Sequence, residues 1–223
     1  MHSISNALER LRTQLAQALP ATPGLRHVDV SFPLNDAFDP LAWLGAQCLF
    51  PQFYWQQRNG DEELAALGAV IHFSSLAQAS QFLQQQPVAN DTRICGLNAF
   101  TPEQGSLFLP RLLWRRSAGT ATLRLQLWSD RSLQEDADAA LAFLQQLRDA
   151  RPIRPLSAQV VQETHQPQKP EWLRLIRQAT ETIARGEVEK VVLARATDLQ
   201  FSQPVNAVAL MAASRALNLN CYH

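Results

Sequence analysis

The sequence predicts a mixed α/β protein of the α+β kind, and three observations carry that reading. Helical periodicity and strict alternation follow one another along the chain. Most of the candidate strands come in a series within the first part. A Pro-rich stretch then separates them from a helix–strand–helix run near the C-terminus. Strands with one apolar face each need at least two layers to cover them.

Ile4, Leu8, Leu11, Leu15 and Leu19 recur at helical spacing, with Ser3 or Ser5 available as a cap and Pro20 and Pro23 closing the element. After Gly24 the pattern changes to alternation, with Val28, Val30 and Phe32 on one side of a strand. The stretch Cys48–Gln57 concentrates Phe50, Phe53, Tyr54 and Trp55, and Arg58–Asp61 supplies turn chemistry before the apolar run Leu67–Phe73. Two strands joined by a turn follow from that, and their aromatic residues read as core. Ser74 or Ser75 caps a helix over Leu76–Gln86. Arg93–Phe100, Ser106–Arg115 and Thr120–Trp128 read as three further strands, the last with Leu123, Leu125 and Leu127 against Arg124 and Gln126.

Ser132 and Glu135 have capping-box spacing, and Ala137, Leu141, Leu144 and Leu147 keep helical spacing toward Ala150. Pro152, Pro155, Pro167 and Pro170 mark a connection with little periodicity. The division is therefore an N-terminal α/β region over 1–156, a connection over 157–169 and a second region from 170 to 223. Pro170 suits the first turn of a helix lined by Trp172, Leu175, Ile176, Ala179 and Ile183, and Gly186 sits where a C-terminal glycine is commonest. Val188–Arg195 is a β-branched run that reads as a strand, and Val205–Leu217 returns to helix. Leu219, Cys221 and Tyr222 look like the opening of another strand, so the chain reads as a truncated polypeptide.

Bulk properties narrow the function. With 20 Lys and Arg against 20 Asp and Glu the net charge is zero, so nucleic acid and anionic membrane surfaces are disfavoured partners. Cys48, Cys95 and Cys221 lie far apart without a C-x-x-C pair, which suggests reduced thiols and a cytoplasmic protein. No run approaches a membrane span, and the polar residues within Met1–Leu19 exclude a signal peptide.

The common catalytic motifs are absent, and the histidines at 2, 27, 72, 165 and 223 have no metal-ligand spacing. His72 reads as a hydrogen-bonded structural residue. Lys190 is different. In a strand over Val188–Arg195 it shares a face with Val188, Val192 and Ala194. A lysine is no base at its ordinary pKa of about 10.4, but desolvation disfavours the charged form and lowers that value. The alternative is a lysine whose head reaches solvent from the strand edge, and the pattern alone leaves both open.

The string Ile183–Ala–Arg–Gly186, Glu187–Val–Glu189, Lys190–Val–Val–Leu–Ala–Arg195, with Glu171–Trp172 before it, resembles the entry to the catalytic region of the chorismate-using enzymes. Pro51–Gln–Phe–Tyr–Trp55 and Phe108–Leu–Pro–Arg111 resemble the isochorismate branch, and within it the menaquinone-pathway members. The resemblance implies an anthranilate synthase component I-like fold, two face-to-face, mainly antiparallel sheets with outer helices. It implies a Mg²⁺-dependent isomerase with chorismate as substrate, in which the lysine at position 190 is the base that takes a proton from attacking water. It also implies that the general acid and the Mg²⁺ ligands lie beyond residue 223, so that this polypeptide alone is inactive and poorly soluble. Within the same family a salicylate-forming synthase is the alternative, and outside it a non-catalytic interaction fragment.

Overall fold

The structure is a computed structural model and describes residues 2–17, 21–34, 38–86, 91–101, 103–218 and 220–223. Leu19, Pro20 and Leu219 lie outside the described residues. The chain divides into two compact units, one of residues up to Ile153 together with Met211–His223, the other Arg154–Leu210.

The first unit is built on a six-stranded antiparallel sheet. Its strands are β1 (Gly24–Pro33), β2 (Gln52–Gln56), β3 (Glu62–Phe73), β4 (Cys95–Asn98), β5 (Gly105–Ser117) and β6 (Thr120–Ser129). The order is β1-β6-β5-β3-β2, with β4 also on β5. Because β3 occupies one edge of β5 along most of its length, β6 and β4 share the other, β6 pairing from Leu112 to Ser117 and β4 from Gly105 to Phe108.

Four helices belong wholly to this unit, α1 (His2–Leu15), α2 (Pro40–Ala46), α3 (Leu76–Gln85) and α4 (Leu133–Gln145). The helical stripe of α1 is the one the spacing predicts: Ile4, Leu11 and Leu15 are buried and Leu8 packs beside them. They meet Leu123, Leu125 and Leu127 of β6, and Ala137, Ala140 and Leu144 of α4, in the main core. Gln126, on the opposite face of β6, is also buried, and its amide donates to the Pro110 carbonyl at 3.0 Å. A second cluster seats Ala79 and Phe82 of α3 on Phe73, Leu107 and Leu109.

Glycine is required at two points of this sheet, at Gly96 of β4, where φ is +141° and a Cβ would stand 2.1 Å from the Ser106 carbonyl oxygen, and at Gly68. Gly68 has φ +68°, beside the bulge between Ala69 and Ile71, and a Cβ there would stand 2.6 Å from the Phe143 ring.

Some local expectations are corrected. Ser75 caps α3 by accepting from the Gln78 amide at 3.3 Å, but Ser132, at the N-cap of α4, makes no side-chain cap bond. Glu135 is therefore a first-turn acid beside the helix dipole rather than half of a capping box. Phe50 is 73% exposed and outside the core, whereas Phe53, Tyr54 and Trp55 pack against it. His72, expected as a hydrogen-bonded structural residue, is exposed and lies 6.4 Å from the Phe108 ring.

In the second unit, β7 (Val160–Gln166) and β8 (Ala196–Phe201) form a two-stranded antiparallel sheet. The strand β7 lies within the Pro-rich stretch read as a connection. Between them runs α5 (Lys169–Ala184), with Pro170 in its first turn. It closes at Gly186, whose φ of +74° lets the backbone N–H of Gly186 and Glu187 reach the carbonyls of Ile183 and Thr182. The last helix, α6 (Ala207–Leu217), carries the chain back into the first unit at Met211.

Candidate functional site

Lys190 lies between α5 and β8. The Val188–Arg195 run is not a strand here: pairing begins at Ala196, opposite Gln166, and 188–195 has no ladder partner. Lys190 therefore shares no strand face with Val188, Val192 and Ala194 in this chain. The residue is exposed, as are Glu187, Glu189 and Arg195. Its neighbours keep the apolar character that drew attention to the segment, with Val188 and Val191 each 39% exposed and Val192 77%.

The same openness extends over the whole second unit. No residue from Arg154 through Val208 is buried. In α5, Leu173, Ile176 and Ile183 stand at 48%, 36% and 40% exposure, on a helix whose apolar stripe is the shape of a buried face.

Potential ligands for a metal are not gathered. Among the described residues no group of three or more His, Cys, Asp or Glu could hold a metal ion, so these residues do not fit a Mg²⁺ site. Nor is there an activated thiol at Cys95, where burial pushes the group up to about 12. Among the described residues no helix is long and apolar enough to cross a membrane.

The motifs upstream serve architecture. In Phe108–Leu–Pro–Arg111, Phe108 and Leu109 are buried, and the Arg111 guanidinium donates to both oxygens of Asp136 at 2.6 and 2.7 Å and to the Gln126 carbonyl at 2.9 Å. Asp136 also accepts from the Trp128 backbone N–H at 2.8 Å. This bidentate pair bolts α4 to the sheet.

The structure assembles a polar cluster around Arg215 that the sequence did not suggest. Arg215, in the last turn of α6, donates to both oxygens of Asp39 at 3.3 and 3.0 Å and to the Tyr54 hydroxyl at 2.9 Å. Tyr54 in turn donates to Glu63 at 2.6 Å, and Glu63, only 4% exposed, pairs with Arg116 at 3.0 Å. Burial, and then the hydrogen bond to Glu63, raise the Tyr54 phenol well above its ordinary range, so it stays protonated and donating. The cluster borders an open cleft of about 670 Å³. No sequence signal links these residues, because Arg215 lies 176 positions from Asp39.

Comparison with known proteins bears on both units. The profile of a family described as "Chorismate binding enzyme" matches residues 14–223. The isochorismate synthase MenF of Escherichia coli (strain K12) is 58% identical over 223 residues, all of this chain and 52% of that protein. The isochorismate synthase MenF of Pasteurella multocida (strain Pm70) is 32% identical over 187 residues, 83% of this chain and 42% of that protein. A solved structure of MenF, the menaquinone-specific isochorismate synthase of Escherichia coli, superposes with a TM-score of 0.89 over 99% of this chain and 51% of that one. The chain thus spans about half the length of the curated relatives it matches.

Proposed function

We propose, because the chain belongs to the chorismate-binding enzyme family, that it is the N-terminal half of an isochorismate synthase of menaquinone biosynthesis. The observation that carries this reading is the match along the whole chain, 58% identical and superposing at a TM-score of 0.89. In the complete enzyme chorismate and isochorismate interconvert. Water adds at ring carbon C2 and the C4 hydroxyl leaves, so one water enters, one departs, and no redox change occurs. On this reading residues 1–156 hold the N-terminal α/β region and 170–223 open the chorismate-binding region, while β7 occupies most of the connection expected over 157–169 and joins that second region through β8. The enzyme is a cytoplasmic isomerase.

Lys190 is the proposed base. Water is a poor nucleophile at neutral pH, and an amine takes its proton only if the ammonium form is disfavoured by dry surroundings. In this chain the amine is exposed, while Val188, Val191 and Val192 beside it present apolar surface. The drying is therefore assigned to the part of the enzyme beyond residue 223, together with the general acid and the residues that would hold Mg²⁺. Among the described residues no group of three or more His, Cys, Asp or Glu is gathered to hold the ion. On this reading the chain by itself turns over no chorismate.

The test is magnesium-dependent isochorismate formation by the complete enzyme beside its Lys190→Ala variant. Loss of a general base lowers kcat by roughly 10²–10⁴-fold. A variant that keeps its rate sinks the assignment of Lys190. Salicylate among the products identifies the salicylate-forming alternative instead, and turnover by the 223-residue chain overturns the claim that the site is incomplete.

A further inference from the structure

The chain leaves the first unit at Ile153 and returns to it at Met211, and the segment in between carries Lys190. Two side-chain ties lie close to those points, and both lead to the same short helix. On the exit side, Gln47, the C-cap of α2, holds the backbone of Arg148: its amide donates to the Arg148 carbonyl at 2.8 Å and its carbonyl accepts the Arg148 N–H at 2.9 Å. Gln47 is 6% exposed and its amide also donates to the Trp43 carbonyl, so its rotamer is fixed from within the helix. On the return side, Asp39, the N-cap of α2, accepts from the Leu41 N–H at 3.0 Å and receives the Arg215 guanidinium on both oxygens. Arg215 is fixed in turn by the Tyr54 hydroxyl.

The helix between these caps is suited to bear load. Pro40, Leu41, Ala42, Trp43 and Leu44 are all buried, with Trp43 and Leu44 in the main core. Seven residues at about 1.5 Å each separate the two ties by about 10 Å. Both ties are multidentate, which constrains direction as well as distance.

We infer that α2 is a strut that sets the spacing of the two chain ends between which the Lys190 segment is strung, with Gln47, Asp39 and Arg215 as positioning residues for the base. The inference rests on the proposed role of Lys190 for its catalytic consequence alone. The strut itself is a statement about which backbone becomes mobile when a tie is cut.

Three variants of the complete enzyme separate the ties from mere folding. Asp39→Asn keeps the acceptor for Leu41 but removes the charge that ties Arg215 to α2, leaving Arg215 with the Tyr54 hydroxyl and the Glu63 carboxylate at 3.5 Å. Arg215→Met keeps the apolar stem, and Gln47→Leu keeps the buried volume while removing both bonds to Arg148. Hydrogen exchange is read across the chain, and kcat and KM for chorismate are read per folded enzyme.

Cutting either tie raises exchange within Arg154–Leu210 and leaves β1, β5 and β6 protected. It also lowers kcat by roughly ten-fold with KM within about two-fold, the signature of a displaced catalytic group rather than of lost binding. Arg215→Met with Gln47→Leu lowers kcat further, whereas Arg215→Met with Asp39→Asn does no more than Arg215→Met alone, because those two residues form one tie. Exchange unchanged in Arg154–Leu210, or raised equally throughout the first unit, overturns the strut. Where Arg215→Met does not fold, Asp39→Asn carries the same test without altering α6. If the unmodified enzyme forms no isochorismate, the proposed function fails while the exchange pattern still decides the strut.

Discussion

The two units treat the same kinds of residue in opposite ways. In the first, leucines of β6 are wholly buried and its buried charges are matched, Arg111 by Asp136 and Glu63 by Arg116 and Tyr54. In the second, an amphipathic helix of good pattern lies with no buried residue, and its ion pair Arg174–Glu171 sits in solvent. Pattern states which face of a helix is able to be buried; only a partner surface makes it so. The difference separates apolar surface that this chain covers from apolar surface that it leaves open, and it gives paired substitutions whose effects diverge by unit.

The largest divergence is between ion pairs. Asp136→Ala leaves the Arg111 guanidinium with the Gln126 carbonyl alone and the Trp128 N–H without its acceptor, and removing one partner of a largely buried pair costs about 3 kcal/mol. Glu171→Ala, at an exposed i,i+3 pair, changes stability by less than about 0.5 kcal/mol. Urea unfolding of the 223-residue chain measures both. Equal effects break the comparison.

Apolar truncation follows. Leu125, 0% exposed in the main core, costs about 2–5 kcal/mol as Leu125→Ala. Ile183→Ala, at a residue 40% exposed, stays within about 0.5 kcal/mol in this chain. The comparison sharpens in the complete enzyme, where covering of α5 raises the Ile183→Ala penalty toward the core value. A penalty that stays small there means the apolar face of α5 is left open by the missing half as well.

These pairs also mark how far the sequence could be read. The stripes of α1 and α4 and the alternation of β6 were legible because each needs only local periodicity and one covering face, and the fold provides both. The strand read over Val188–Arg195 was displaced to Ala196–Phe201, since β-branched composition favours an extended chain but a ladder needs a partner, and β7 offers one only from Gln166 outward. That partner was itself hidden, because Pro155, Pro167 and Pro170 around Val160–Gln166 gave the segment the look of a connection. The assignment of Lys190 rests on family resemblance and not on its surroundings, in which the residue is exposed. The Arg215 cluster had no local signature, being assembled from α2, β2, β3, β5 and α6 by long-range folding.

The smallest effect concerns pH and lies on the face of β6 opposite its leucines. Asp91 is held below its ordinary carboxylate value of 3.8, first by the hydrogen bonds from Arg124, at 2.8 and 3.1 Å, with burial opposing. A depressed carboxylate contributes stability that is fully present above its unfolded pKa and is lost as pH falls through the folded one. Asp91→Asn removes that contribution. The stability gap between the unmodified chain and Asp91→Asn is therefore constant above about pH 5 and narrows once the pH drops below 3.8. Arg124 keeps Asp29, at 2.8 and 2.6 Å, as its other bidentate partner, and the Asp91 side chain is 46% exposed, so the gap is small even at neutral pH. Urea midpoints of the two chains between pH 3 and 7 decide it. A gap that stays flat across that range shows that Arg124 depends on Asp29 alone and that Asp91 contributes nothing to the ladder of charges across the sheet.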